Sequence, residues 1–286
     1  MTVLEAIQRS NEFLQRKQVE SPRLQAELLL AHVLKLPRLT LYLNFERTLQ
    51  PAEEQSLREL VQRRGKREPL QHLVGTVNFC GYELEVNRDV LIARPETELL
   101  AELSWNYLNA LPAGDLKALD IGTGSGCLPI TIAAKCSRAL CDTVDISSAA
   151  LDVARRNAER HQVVERVKFH EGDLFSPLAA GTRYHLIVSN PPYIEAAEIE
   201  TLEPEVRDFD PRLALDGGAD GLDFYRRLAD EATAWLVADG RLMAEFGEGQ
   251  GAAIREIFEA KNWTVHALEK DLTGRERFVI ASPRGA

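Results

Sequence analysis

Along the first seventy residues, apolar positions recur at helical spacing. Leu4, Ile7 and Leu14 share one face of a first helix, and Leu24, Leu28 and Ala31 share one face of a second. Ser21 followed by Pro22 reads as an N-cap with proline at the first helical position, and Pro37 ends that helix. A third helix starts near Pro51 and runs through Leu57, Leu60 and Val61, and no glycine occurs before Gly65. This pattern predicts a small helical bundle. The texture changes at Pro69. Residues 73–92 alternate apolar and polar positions, with glycines at 75 and 81, which predicts a β-hairpin joining two domains. A helix follows from Pro95. Residues 116–122, 139–146, 167–173, 184–190 and 240–247 then read as strands, most of them separated by amphipathic helices. That alternation argues for an α/β domain with a parallel sheet covered on both faces, and 263–270 with 276–282 would add an antiparallel pair at its edge. The expected division is a helical substrate-docking domain over 1–72, a β-hairpin linker over 73–93 and a catalytic domain over 94–286.

Composition changes this picture little. The 286 residues are 45% hydrophobic and 27% charged, an ordinary globular balance. No apolar run is long enough to span a bilayer, and the N-terminus resembles neither a secretory signal nor a transit peptide, so a cytoplasmic location is expected. Cys80, Cys127, Cys136 and Cys141 form no C-x-x-C pair, which argues against structural zinc and against a disulfide framework; no metal is expected. The net charge of −10 disfavours a tight duplex-DNA binder, which needs a basic footprint. The charge is uneven, because residues 1–75 hold 12 Lys/Arg against 9 Asp/Glu. Arg63, Arg64, Lys66 and Arg67 cluster there, either as a solvated helix end or as a docking surface for an acidic partner.

Candidate chemistry sits where strands end. The first strand of the α/β domain runs into Asp120-Ile121-Gly122-Thr123-Gly124-Ser125-Gly126 and then a helix. Glycines allow a tight turn and close approach to a ligand. The third glycine comes one residue too early for a dinucleotide fingerprint, and no Gly-Lys-Ser/Thr follows, which favours a cofactor without a pyrophosphate. Asp145 ends the second strand, where a carboxylate can accept from both ribose hydroxyls. Asp173 and Leu174 follow the third, suited to accept from an adenine amino group and to pack on the ring. Together these positions describe an adenosine held across the sheet, with a methionine portion over the glycine turn.

The fourth strand enters Asn190-Pro191-Pro192-Tyr193. Two prolines fix φ and remove two backbone donors, leaving the Asn190 side-chain oxygen and the Pro191 carbonyl as outward acceptors and Tyr193 as an aromatic wall. An amide or exocyclic amino nitrogen is a poor nucleophile because its lone pair is delocalised. Two acceptors on its N–H groups would hold it in line with a sulfonium methyl and stabilise the positive charge that develops on it. Residues 194–221 show little periodicity and read as a lid or substrate-recognition loop.

With these motifs in place, the chain closely resembles the bacterial peptide chain release factor glutamine N5-methyltransferases, nearly end to end. The resemblance rests on Pro69–Leu73 through Gly81, Val90–Ile92, Arg94-Pro95-Glu96-Thr97-Glu98, Asp120–Gly126, Asn190–Tyr193, Glu205–Asp208, Pro211–Leu215 and Gly217–Asp223. Ala93 departs from it, standing where the family usually has proline. The resemblance implies a seven-stranded Rossmann-like class I methyltransferase sheet behind a helical N-terminal domain. It implies S-adenosyl-L-methionine as donor, S-adenosyl-L-homocysteine as product, and the glutamine of a Gly-Gly-Gln loop in class 1 release factors as acceptor. Gly122, Thr123, Gly124, Ser125, Gly126, Asp145, Leu174 and Asn190 would contact the cofactor, and Asn190, Pro191, Pro192 and Tyr193 would grip the glutamine. A glutamine methyltransferase of a ribosomal protein would share these motifs, but Arg94–Glu98 and Arg207-Asp208 favour the release-factor group. A nucleic-acid adenine methyltransferase could also use the proline turn on a flipped base, against which the acidic charge and the lack of a basic target-recognition domain argue. A non-catalytic binding module would have no need to keep both motif sets.

Overall fold

The computed structural model describes residues 1–112 and 114–285. They form two compact units, Met1–Thr76 with Glu203–Phe209, and Val77–Leu202 with Asp210–Ala286.

The first unit holds α1 (Val3–Arg16), α2 (Pro22–Leu34), α3 (Pro51–Arg64) and the short α4 (Leu70–Val74). Helix α1 opens on a capping box: the Thr2 hydroxyl accepts from the Glu5 N–H at 3.2 Å while the Glu5 carboxylate accepts from the Thr2 N–H at 2.9 Å. Ser21 stands at the N-cap of α2 with Pro22 in the first turn, as the pattern suggested, but in a left-handed conformation and without a side-chain cap bond. The run Leu28-Leu29-Leu30 offers α2 more than one apolar face; the one used buries Ala26, Leu29 and Leu30 and leaves Leu24 exposed. These pack with Ile7, Leu14, Leu41 and Leu57 into one core.

The basic cluster at the end of α3 is consumed within the chain. Arg63 grips Glu68 with two bonds of 2.8 and 2.7 Å. Arg64, itself buried, reaches Glu205 at 2.7 Å, and Arg67 reaches both Glu205 and Glu203. Burial alone would raise the Glu205 carboxyl, but Arg67 and Arg64 outweigh it and hold it below its usual value. The acidic partner of three of these arginines is therefore the chain itself.

The second unit opens with a hairpin, β1 (Thr76–Phe79) and β2 (Tyr82–Glu85), so the alternation over 73–92 resolves into the end of α4, two short strands and an irregular tail. There follow α5 (Pro95–Ala110), β3 (Leu116–Ile121), α6 (Cys127–Lys135), β4 (Ala139–Asp145), α7 (Ser148–Arg160), β5 (Val167–Glu171) and β6 (Tyr184–Ser189). After α8 (Pro204–Arg207), which lies in the segment belonging to the first unit, come α9 (Asp223–Glu231), β7 (Leu236–Glu245), α10 (Gly251–Ala260), β8 (Trp263–Lys270) and β9 (Glu276–Pro283).

The seven-stranded sheet runs β5-β4-β3-β6-β7-β9-β8, parallel except for β9, which is antiparallel to both its neighbours. Side chains alternate between two apolar layers. Ala118, Leu186 and Met243 face one, with Leu100 of α5 and Leu128 of α6. Leu119, Ile187 and Leu242 face the other, with Leu228 of α9 and Phe258 of α10. This is the mixed α/β architecture with N-terminal helices that the alternation predicted. Strand order reverses between β3 and β6, and open α/β sheets bind ligands beyond the strand ends at such a point. Among the described residues, no helix is long and apolar enough to cross a membrane.

The poorly periodic segment after β6 is tied at its base. Ile194 bridges Asp216 in parallel register, with the Ile194 N–H donating to the Leu215 carbonyl at 2.9 Å and the Gly217 N–H to the Ile194 carbonyl at 2.8 Å.

Candidate active site

A cavity of about 340 Å³ opens at the carboxyl ends of β3, β4, β5 and β6. Ile121, Gly122 and Gly124 line it from β3, Val144 and Asp145 from β4, Gly172, Asp173 and Leu174 after β5, and Asn190 and Pro192 after β6. Val90 and Leu91 contribute from the stretch after the hairpin, Leu213 and Ala214 from the long segment, and Phe224 and Arg227 from α9. The remaining expected residues are not part of this lining: Thr123, Ser125 and Pro191 are buried, Gly126 caps α6, and Tyr193 is half-buried.

The glycine turn follows from its backbone. Gly122, Gly124 and Gly126 have φ of 75°, 51° and 81°, a left-handed region that strains any side chain. Side chains added at Gly122 or Gly124 would point into open space, whereas one at Gly126 would press Ile130 and Ala154, so the first two leave room and the third lets α6 approach α7.

Asp145 braces this turn. One carboxylate oxygen accepts from the Gly124 N–H and the other from the Ser147 N–H, each at 2.9 Å. Burial raises its pKa, and these backbone donors pull it back. Beneath the turn lies Asp120, the first residue of the motif, to which no role is assigned from sequence alone. Its two oxygens are buried and without hydrogen-bond partners by distance and angle. Burial pushes it up to about 7, opposed by the neighbouring Thr123 hydroxyl and reinforced by Asp145. Asp173 is at the expected strand end, but Arg227 holds its carboxylate in a two-bond grip at 3.1 and 2.7 Å. Leu174 beside it is buried with φ of 49°.

The proline turn is held from several sides. The Ser189 hydroxyl donates to the Ile121 carbonyl at 2.7 Å, joining the ends of β6 and β3 and so the two turns. The Gln250 side chain donates to the Tyr193 carbonyl at 2.9 Å. Gly221 lies so close that an added side chain would collide with that same carbonyl. The Asn190 amide nitrogen donates to the Thr97 hydroxyl at 3.1 Å, and Thr97 donates to a Glu245 carboxylate oxygen at 2.7 Å. Burial pushes Glu245 up to about 7 and Tyr193 up to about 12.

The Arg94–Glu98 stretch gains a structural account. Arg94 pairs with buried Asp210 at 2.7 Å, Pro95 opens α5, Thr97 supports Asn190, and a Glu98 oxygen accepts from the Cys80 N–H at 2.9 Å. From sequence, the stretch offers only the start of a helix at Pro95 and its family resemblance. Thr97, Glu245, Arg227 and Phe224 gave no local signal, since their roles depend on partners tens of residues away.

Two family patterns match the chain, a PrmC N-terminal domain over residues 5–75 and a methyltransferase small domain over residues 102–205. A release factor glutamine methyltransferase from Geobacter sulfurreducens is 43% identical over 278 residues, covering 97% of this chain and 95% of its own. The chain belongs to the release factor glutamine methyltransferase family. Another member, from Chlorobaculum tepidum, is 42% identical over 274 residues, covering 94% of this chain and 93% of its own. A methyltransferase from Pyrococcus furiosus shares the fold at 18% identity, with a TM-score of 0.51 over 71% of this chain and 89% of that one. Against the family resemblance, Ala93 costs the site nothing visible. Arg94 after it keeps an extended backbone and still leads into α5.

Proposed function

We propose that this enzyme transfers the methyl group of S-adenosyl-L-methionine to the side-chain amide nitrogen, N5, of the glutamine in the Gly-Gly-Gln loop of class 1 peptide chain release factors. The observation that carries this reading is Asn190 on the wall of the cavity that Gly124 and Asp145 also line, in a chain 43% identical to a release factor glutamine methyltransferase. The sheet, with its reversal between β3 and β6, is read as the Rossmann-like class I methyltransferase sheet.

The residues present suit the cofactor. Asp120 is a buried carboxylate with no cationic partner, only the Thr123 hydroxyl beside it, and is the complement of an amino-acid ammonium group. Gly122 and Gly124 line the cavity and leave open space where side chains would stand. Asp145 and Asp173 each keep lone pairs beyond their present bonds, for ribose hydroxyls and an adenine amino group. Leu174 and Phe224 supply apolar walls for the ring. When bound, S-adenosyl-L-methionine supplies an electrophilic methyl and leaves as S-adenosyl-L-homocysteine. The Asn190 side-chain oxygen and the Pro191 carbonyl accept from the two N–H groups of the glutamine amide, orient its nitrogen towards that methyl and stabilise the positive charge growing there. No strong base is required, because the methylated nitrogen is acidic enough to lose its proton.

In this reading the helical unit docks the protein substrate, and residues 73–93 link it to the catalytic domain. Leu39 and Leu43, standing 71% and 86% exposed, support that role. Neither nucleic acid nor membrane takes part, and the enzyme works in the cytoplasm. The test is transfer of labelled methyl to unmodified release factor, with its loop Gln→Ala variant, ribosomal protein and duplex DNA alongside. Label on the wild-type factor alone supports the proposal; label on ribosomal protein or DNA instead overturns its substrate.

A further inference from the structure

Asn190 can serve as an acceptor only if its amide faces the substrate oxygen first. The two ends of an amide have nearly the same shape, so packing alone does not choose between them. A buried chain of hydrogen bonds does. Thr97 in the first turn of α5 and Glu245 at the end of β7 are only 1% and 2% exposed. Thr97 lies 2.7 Å from a Glu245 carboxylate oxygen and 3.1 Å from the Asn190 amide. Burial pushes the Glu245 carboxyl up to about 7; above that pH it is ionised and only accepts, so the single Thr97 proton points at Glu245. The Thr97 oxygen then has only lone pairs to offer Asn190, which must turn its NH₂ inwards. Its carbonyl oxygen is left facing away from the network.

Resting on the function proposed above, we infer that Thr97 and Glu245 are positioning residues for methyl transfer. They form a one-way relay, Asn190 to Thr97 to Glu245, that locks Asn190 with its oxygen presented to the acceptor amide. Neither residue touches substrate. Loss of the relay frees the Asn190 amide to rotate and to present a donor to an acceptor nitrogen that needs the opposite. The Tyr225 hydroxyl, donating to the Glu245 backbone carbonyl at 2.6 Å, holds the end of the relay in place. Because the relay selects orientation rather than binding, its loss lowers turnover and leaves both affinities nearly intact.

The experiment compares Thr97→Val, which keeps the shape and loses the hydroxyl, with Thr97→Ser, which keeps the hydroxyl. Release factor methylation is followed at saturating cofactor and at about pH 8.5, where Glu245 is ionised, and cofactor affinity is measured by calorimetry at the same pH. Thr97→Val is expected to lower kcat by about 10–100-fold, with KM for release factor and Kd for S-adenosyl-L-methionine within about threefold of wild type. Thr97→Ser restores kcat to within about threefold, which a loss of packing alone would not allow. Wild-type kcat in Thr97→Val, or equal losses in Val and Ser, overturns the inference. Where Thr97→Val does not fold, Thr97→Ala removes the same hydroxyl and is read in the same way. A wild-type enzyme that fails to label release factor defeats the proposed function instead, so the two failures are told apart.

Discussion

The two turns that flank the reversal of strand order solve opposite problems. The turn after β3 is built from glycines, and its use lies in what is missing: positive φ, open space at Gly122 and Gly124, and an exposed backbone. The turn after β6 is built from prolines, and its use lies in what is fixed. Ser189, Gln250, Thr97 and Gly221 each constrain one part of it. A turn that binds a ready-made cofactor needs room and donors. A turn that must make an amide nitrogen react needs an acceptor in one orientation, and a second layer to hold it there. Ser189 joins the two, so donor and acceptor are placed by one rigid strand pair.

The comparison breaks most visibly at Asn190. Asn190→Ala should lower turnover by on the order of 10²–10³-fold while cofactor affinity, measured by calorimetry, falls much less. Near-normal turnover would remove Asn190 from the chemistry. Asp145→Ala should do the reverse: cofactor affinity weakens by roughly 10–100-fold, with turnover at saturating cofactor largely kept. Equal damage to both quantities would mean that the turns do not divide the work.

Gly221→Ala sharpens the claim about the second layer. The new side chain meets the Tyr193 carbonyl and the Gln250 amide at a φ of 71°, so the proline turn must shift. About tenfold slower turnover with unchanged cofactor affinity is expected; unaltered turnover would show that the turn tolerates displacement.

Each turn also has a buried acid behind it. In the absence of cofactor, Asp120 under the glycine turn and Glu245 behind the proline turn are both pushed up to about 7 by burial. A carboxyl whose pKa is raised on folding holds its proton more tightly folded than unfolded. Its contribution is present below the unfolded value near 4 and is lost as pH rises through about 7. Asp120→Asn should therefore raise the melting temperature of the cofactor-free protein by several degrees at about pH 8 and by much less at about pH 5. An equal rise at both would contradict the buried, unpartnered carboxyl. The smallest effect is expected at Asp173, which is half exposed and already gripped by Arg227. Asp173→Ala should change cofactor affinity by no more than about threefold, and a larger loss would make it a principal adenine contact.

The same contrast explains what could be read in the chain beforehand. The glycine turn, Asp145 and the proline turn are contiguous motifs at strand ends, and the alternation of strands and helices places strand ends together. The second layer is not contiguous. Thr97 and Glu245 meet Asn190 only because α5 and β7 are folded beside β6, and a lone threonine in a first helical turn looks like many others. The arginines at the end of α3 misled for a related reason. A basic cluster looks solvent-facing or partner-facing until Glu203 and Glu205, well over a hundred residues later, are seen to fill it. Ser21 and Pro22 take the N-cap and first-turn places read from the chain, and only the side-chain cap bond is absent, because Ser21 is left-handed.

The central claim is that the proline turn acts on a planar amide nitrogen. It is tested most directly by locating the transferred methyl on purified release factor with fragmentation mass spectrometry after a single turnover. The account predicts one methyl group, on the side-chain amide nitrogen of the Gly-Gly-Gln glutamine, and none when Asn190→Ala replaces the wild-type enzyme under the same conditions. A methyl on an oxygen, on a residue outside that loop, or at undiminished level with Asn190→Ala would contradict it.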